Sequence, residues 1–530
     1  MKDQTEPTMR KMNNSSRHPD ILSSFLEFCS RRLLFVFTLF AVTAAVYGIW
    51  CSHDFISFDA EFIYNNSSAF SLYSAWIQMG RWGFYYFKKF LGLYLVNPYF
   101  SITMFLFCFP LSVLFWSFLF YIWNGRKLHT SSMVVFGVLY LTHPIWALQF
   151  AYRNQMDVCC IVMVLLPVGM YYLSVWLNEN RLLYGILAFL FITFSFGCYQ
   201  SFIFLYAEAV GIYFFFLIQN LSSEYPAKKR TFWLQVLKTL CFTAASYAAY
   251  SLISLFVQIR HGIPHGVSYL NDQFKWFSSP FSECVHNIAS YLKMSFFGDG
   301  TAYSALYAVE VFIFIAYLVF IIVRKKSPAI LSVLIGIFII LCPFALEFAT
   351  AGTVVSRSQF SFVLTLAFLG MMEAEWILEL SGNFSPKTAG VLIFILTVIA
   401  VMPQVQDLTR LLYTDVSVMD EDEKTMDAIY YAAMQKGAGA ADAICLIGTQ
   451  NLPHNDSLTA DYEVIGFSYF EVTSPRMEKT IVMMNAMGYS FTAPTQEQYD
   501  AAGAEAAQMS VWPDADSVRV HDGTIIVRLS

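Results

Sequence analysis

Charge is what this sequence has least of. Only 13% of its 530 residues are Asp, Glu, Lys or Arg, against 57% hydrophobic and 18% aromatic. Soluble domains carry roughly 25% charged residues, so the scarcity excludes an ordinary soluble enzyme and indicates a polytopic membrane protein. Other features are missing too. The ten cysteines are scattered, most of them inside apolar runs, and spell out neither a disulfide framework nor a zinc site. No histidine pair has helix-face metal spacing. Gly437-Ala438-Gly439 precedes a strand pattern instead of joining a strand to a helix, so it is not a phosphate-binding loop. Internal repeats are absent, which argues against a transporter built from related halves. Met1–Asp20 is polar, and no Ala-x-Ala spacing follows the first apolar run. The first span is therefore expected to be a signal anchor.

What is present is a series of apolar runs of about twenty residues, each long enough to cross a bilayer. They fall near 32–51, 99–123, 132–149, 157–176, 182–198, 201–218, 237–257, 302–323, 329–346, 359–378 and 388–405, predicting about eleven transmembrane helices. With the N-terminus inside, inner segments carry seventeen Lys and Arg and outer loops eight. The positive-inside rule thus favours N-terminus in and C-terminus out.

Three regions follow. Residues 1–31 form a basic cytoplasmic arm. Residues 32–405 form the membrane domain, with long outer loops at 52–98 and 258–301. Residues 406–530 hold nineteen acidic against seven basic residues, a charge of −12; the whole chain is −6, which leaves about +6 elsewhere. This acidic cap is expected to be a small extracytoplasmic α/β domain. Asp420–Lys436 and Ser474–Met487 look helical, Ala443–Gly448 reads as a buried strand, and Val518–Val520 with Ile525–Leu529 flank Asp522-Gly523 as a hairpin.

Candidate chemistry gathers at the predicted outer side. Asp54-Phe55-Ile56-Ser57-Phe58-Asp59-Ala60-Glu61 follows the first span directly. Carboxylates near hydrocarbon are costly and usually functional, although a solvated acidic loop also accounts for two of them taken alone. Transfer to a hydroxyl needs a group to accept its proton, and Asp59 with Glu61 could supply it. Leu72–Leu93 has apolar residues at helical spacing and is expected to be one interfacial helix, carrying Arg81 and Trp82 to headgroup depth. An arginine there can hold a phosphate bidentately, while a tryptophan packs on a sugar face or lipid tail. Tyr152-Arg153, Tyr199-Gln200 and Arg357 lie at predicted outer ends of spans. Polar residues so placed either pack within the bundle or line a cavity. A divalent cation, magnesium or manganese, is compatible with the carboxylates but not required by the sequence, and no metal ligands are assigned.

Ser57-Phe58-Asp59-Ala60-Glu61, Trp76-Ile77-Gln78-Met79-Gly80-Arg81-Trp82 and Tyr199-Gln200-Ser201, with Trp512-Pro513 and the Asp522-Gly523 hairpin, carry a family resemblance. The chain resembles the serotype-converting O-antigen glucosyltransferases of the glucosyl transferase II type, multi-span enzymes of the GT-C class. Many relatives have adjacent acidic residues where this chain has Asp-x-Glu. The resemblance implies a GT-C-like α-helical membrane protein that moves glucose from a polyprenyl-phosphate donor, undecaprenyl-phosphate glucose, to a surface polysaccharide or teichoic-type polymer. It places the reaction on the outer face of a bacterial plasma membrane, downstream of a lipid-sugar synthase and a flippase, with no nucleic-acid partner. On this reading Asp59 and Glu61 are catalytic. Arg81, Arg153 and Arg357 bind the donor phosphate, and Trp82, Tyr199, Gln200 and Asp54 contact sugar or lipid. The rival readings are a lipid-linked sugar flippase or exporter, which would bind the same lipid without cleaving it, and a polysaccharide polymerase or ligase.

Overall fold

The computed structural model describes residues 21–53, 60–61, 70–93, 97–221, 224–264, 274–352, 354–381, 385–439, 442–451, 458–460, 462–471 and 474–530. Helices dominate. In chain order they are α1 Ile21–Ser30, α2 Leu33–Tyr47, α3 Phe70–Gln78, α4 Trp82–Leu91, α5 Pro98–Trp123, α6 Thr130–Leu141, α7 Ile145–Phe150, α8 Arg153–Glu179, α9 Leu182–Cys198, α10 Ser201–Leu221 and α11 Tyr225–His261. They continue with α12 Phe281–Phe297, α13 Leu306–Arg324, α14 Ala329–Leu341, α15 Ala345–Thr350, α16 Phe360–Leu380 and α17 Pro386–Gln435.

Among the described residues nine helices are long and apolar enough to cross a membrane, so the chain is a multi-pass membrane protein. Each of the eleven predicted runs coincides with helix, but two of them fall short. The run at 132–149 is divided between α6 and α7 by Thr142–Pro144, and α9 has only 17 residues. Proline at Pro144 lacks an N–H and restricts the residue before it, which favours a break there.

Packing at the bundle centre is largely aromatic. Phe105, Phe109, Trp146 and Phe150 meet with ring centroids 4.8–5.8 Å apart, within the range of favourable edge and offset contacts. Tyr47 donates a 2.8 Å hydrogen bond to the Leu141 carbonyl, satisfying a hydroxyl buried in this apolar region.

The helix expected within the cap begins far earlier. α17 runs unbroken for 50 residues, a length of about 75 Å at 1.5 Å per residue, so its apolar first half crosses the bilayer and its second half reaches into the cap. Ser385 caps its first turn and Pro386 occupies the first helical position, where no N–H is needed.

Beyond α17 come β1 Ala443–Ile447, α18 Glu478–Ala486, α19 Gln496–Ala506, β2 Val518–His521 and β3 Thr524–Arg528. The sheet order is β1-β3-β2, with β1 parallel and β2 antiparallel to β3. Asp522 and Gly523 both have positive φ, +47° and +68°, the conformation a two-residue hairpin of this twist demands. The α19 helix, which the apolar pattern does not announce, starts at a Thr495–Gln498 capping box.

Candidate active site

The stretch around Arg81 is shaped by one glycine. The Arg81 N–H donates to the Trp76 carbonyl at 2.8 Å and the Gly80 N–H to Ile77 at 2.9 Å, closing α3 with Gly80 at φ +82°. A Cβ on Gly80 would also lie 2.8 Å from the Tyr250 hydroxyl, so both conformation and space demand glycine. The chain restarts as α4 at Trp82. The single interfacial helix expected over 72–93 is therefore two helices with Arg81 at the break. One face of the pair packs on the bundle, burying Trp76, Phe84, Tyr85 and Lys88, while Tyr86, Phe90 and Leu91 of α4 stay exposed.

Two glutamines hold this break. Gln258 of α11 donates to the Ile77 and Gln78 carbonyls at 3.1 Å each, and Gln200 donates to the Met79 carbonyl and, at 3.2 Å, to Tyr250. These bonds satisfy carbonyls left open at the α3 terminus. Gln200 then accepts from Arg81 Nε at 3.2 Å, while the guanidinium lies 4.3 Å from the Tyr199 ring centroid. Tyr199 and Gln200 occupy the two-residue link between α9 and α10, and Tyr199 stacks on Phe360 at 5.7 Å. So the structure brings Arg81, Tyr199 and Gln200 together, with Gln200 engaged in holding the turn. Trp82 lies flat on Gly197: a Cβ there would fall 2.4 Å from the indole.

Lys88 is buried in α4 and donates to Asp157 Oδ2 of α8 at 2.9 Å. Lys88 and Arg81 are seven positions apart, two turns, so this pair fixes the rotation of the helix that follows Arg81.

Arg153 is also buried. Its guanidinium lies 3.9 Å from the Trp50 ring centroid, donates to the Phe150 carbonyl and pairs with Asp415 of α17 at 3.5 Å. Seven residues along the same face of α17, in the half beyond the apolar stretch, stands Asp422. It accepts from Ser468 Oγ at 2.5 Å and the Tyr469 N–H at 2.8 Å. Burial pushes its carboxyl up to about 7, opposed by these two hydrogen bonds. The Tyr469 hydroxyl donates to Glu61 Oε2 at 3.0 Å, and Glu61 is fully buried. A cap residue thus touches a first-loop carboxylate 408 positions away in sequence.

The cap makes a second contact at Arg357. Its Nη1 donates to Glu463 Oε2 at 2.9 Å, and the Ser356 N–H donates to the other carboxylate oxygen. Arg357 lies 5.1 Å from the Tyr152 ring centroid. Tyr462 donates to Asp299 Oδ2 at 2.6 Å, and Asp299 in turn accepts from the N–H groups of Thr301, Ala302 and Tyr303. Glu61, Arg153 and Arg357 therefore share the cap end of the bundle, with Tyr199 joined to the Arg357 segment through Phe360. Asp54 and Asp59 lie outside the described residues. Among the described residues no three His, Cys, Asp or Glu side chains gather as a metal site.

A lateral cleft of about 400 Å³ opens between α6, α13, α16 and α17. Its lining is apolar apart from Ser304, Thr397, Glu310 and Glu373. The residues sequence reasoning missed (Tyr469, Glu463, Asp415, Asp422 and Lys88) all act through partners at least 46 positions away.

A family model for glucosyl transferase GtrII matches residues 48–373, more than half of the chain, and this segment contains Glu61, Arg81, Trp82, Arg153, Tyr199, Gln200 and Arg357. The chain belongs to the glucosyl transferase GtrII family. It is a membrane glycosyltransferase that moves a sugar from a polyprenyl-phosphate donor to a surface glycan, which removes the flippase reading. No curated protein matches the chain. The cap, with Glu463 and Tyr469, lies beyond the GtrII segment.

Proposed function

We propose that this GtrII protein transfers glucose from undecaprenyl-phosphate glucose to a cell-envelope polysaccharide or teichoic-type polymer. The reaction takes place on the outer face of a bacterial plasma membrane, with the N-terminus inside and the cap outside. The single observation that carries the reading is that the buried first-loop carboxylate Glu61 and the Arg357 guanidinium each contact the cap, through Tyr469 and Glu463, at one end of the bundle.

The acceptor hydroxyl oxygen attacks the anomeric carbon of the donor. The bond from that carbon to the phosphate oxygen breaks, and the phosphate leaves with the electron pair. The acceptor proton passes to a carboxylate of the Asp59/Glu61 pair, of which Glu61 is held by Tyr469. Charge develops on the leaving phosphate, so fixed cations there stabilise the transition state most. Arg81 and Arg357 fit this task, since each is anchored along one side by an aromatic ring. Arg153, clamped between Trp50 and Asp415, adds positive charge and ties α17 to the bundle. Trp82, Tyr199, Gln200 and Asp54 frame the sugar, Gln200 by fixing Arg81. The apolar cleft beside α13 offers hydrocarbon-lined room for a lipid chain. Residues 32–405 and 406–530 act as membrane and cap units joined through α17, with residues 1–31 as an arm ahead of them.

The test supplies membranes bearing the protein with undecaprenyl-phosphate glucose or with the same lipid carrying another hexose. Glucose is expected to enter polymer, and Arg81→Gln is expected to raise the donor KM. Efficient transfer of a different hexose, with glucose left untouched, would overturn the choice of sugar.

A further inference from the structure

The Arg357 guanidinium is already holding an anion. The Glu463 carboxylate uses both oxygens there, one on Arg357 Nη1 at 2.9 Å and the other on the Ser356 N–H. A guanidinium and a backbone N–H converging on two oxygens of one group form the donor set that a phosphate takes, through charge-assisted bonds. The carboxylate comes from the cap, not from the bundle that supplies the donors. It is also brought there at a conformational cost: Glu463 has φ +54°, a region that residues other than glycine, asparagine and aspartate seldom occupy. The loop is pinned beside it, Tyr462 donating to Asp299 at 2.6 Å and meeting Ser356 Oγ at 3.0 Å. Both Arg357 and Glu463 keep some solvent exposure, 20% and 13% of their side chains, so exchange for another anion needs no unpacking of the core.

We propose that Glu463 occupies the seat of the donor's phosphate, standing in for it when no donor is bound. The cap loop at 462–463 must then release Arg357 and the Ser356 N–H before the polyprenyl phosphate can bind. This rests on the reading of Arg357 as a phosphate-binding residue. It makes the cap a competitor at the donor site, so the ion pair sets how tightly donor is held. An internal anion of this kind keeps two donors organised between turnovers, and its displacement couples donor arrival to movement of the loop.

The experiment measures donor KM and kcat for the full chain in lipid nanodiscs, using wild type, Glu463→Gln, Glu463→Asp and Arg357→Gln. Removing a partly exposed competing carboxylate should lower donor KM by about three- to tenfold. Glu463→Asp, which keeps the charge on a shorter arm, should lower it less and covers the case in which the glutamine variant fails to fold. Arg357→Gln should raise KM. If Arg357→Gln raises KM while both Glu463 variants leave it unchanged or raise it, Glu463 merely orients the arginine and the competition is refuted. If Arg357→Gln leaves donor KM untouched, the phosphate role of Arg357 fails and takes the proposal with it.

Discussion

Replacing Lys88 by methionine tests how the Arg81 segment is held. Lys88 Nζ and Asp157 Oδ2 are 2.9 Å apart, and their side chains are only 1% and 3% exposed. Taking away the ammonium leaves a carboxylate without its counter-charge in a buried site, since the Val158 N–H that Asp157 also accepts replaces only part of the loss. Breaking one side of such a pair costs about 3–5 kcal/mol. Lys88→Met and Asp157→Asn should each destabilise on that scale. The double variant should cost much less than the two added together, because neither charge remains. Equilibrium unfolding in mixed detergent micelles, followed by tryptophan fluorescence, gives the three values and their coupling. Donor KM should rise in Lys88→Met, because α4 begins directly after Arg81. A Lys88→Met protein within about 1 kcal/mol of wild type would refute the reasoning.

Three further outcomes are expected. Gly197→Ala places a Cβ 2.4 Å from the Trp82 indole and should destabilise by about 1–3 kcal/mol, with much of the loss recovered when Trp82→Ala relieves the clash; thermal melting of the single and double variants decides it. Asp422 has its carboxyl raised to about 7, so the folded state keeps a proton that the unfolded chain releases. Stability from this group is full below about pH 4 and is lost as pH rises through 7, by up to about 4 kcal/mol, and Asp422→Asn should flatten that slope in melts taken from pH 5 to 8. Tyr469→Phe removes the 3.0 Å hydrogen bond to Glu61 and should lower kcat more than it changes donor KM, as steady-state transfer assays would show.

Much of this architecture can be read from local pattern. Apolar run length gives the helices, and the Asp-Gly pair between alternating strands gives the hairpin that β2 and β3 form. Met79-Gly80-Arg81-Trp82 stood out as a motif, but its apolar spacing continues across Gly80 and suggested one helix. The break depends on positive φ at Gly80 and on carbonyls taken up by Gln200 and Gln258, partners over a hundred residues away. Nothing near Lys88 in sequence announces its partner Asp157. Likewise α17 looks like a span followed by a separate helix, since its composition changes at Asp407 while its backbone does not. The contacts from Glu463 and Tyr469 to the bundle are the least legible. They join positions 106 and 408 residues apart, and no periodicity encodes them.

A first-loop carboxylate is expected to perform glycosyl transfer at the cap end of the bundle. The most direct measurement follows radiolabel from undecaprenyl-phosphate glucose into polymer, in membranes carrying wild type, Glu61→Gln or Asp59→Asn at matched expression. Label should enter polymer with wild type, and at least one of the two variants should lose turnover while still binding donor. Wild-type rates in both would contradict this expectation and move the chemistry elsewhere in the chain.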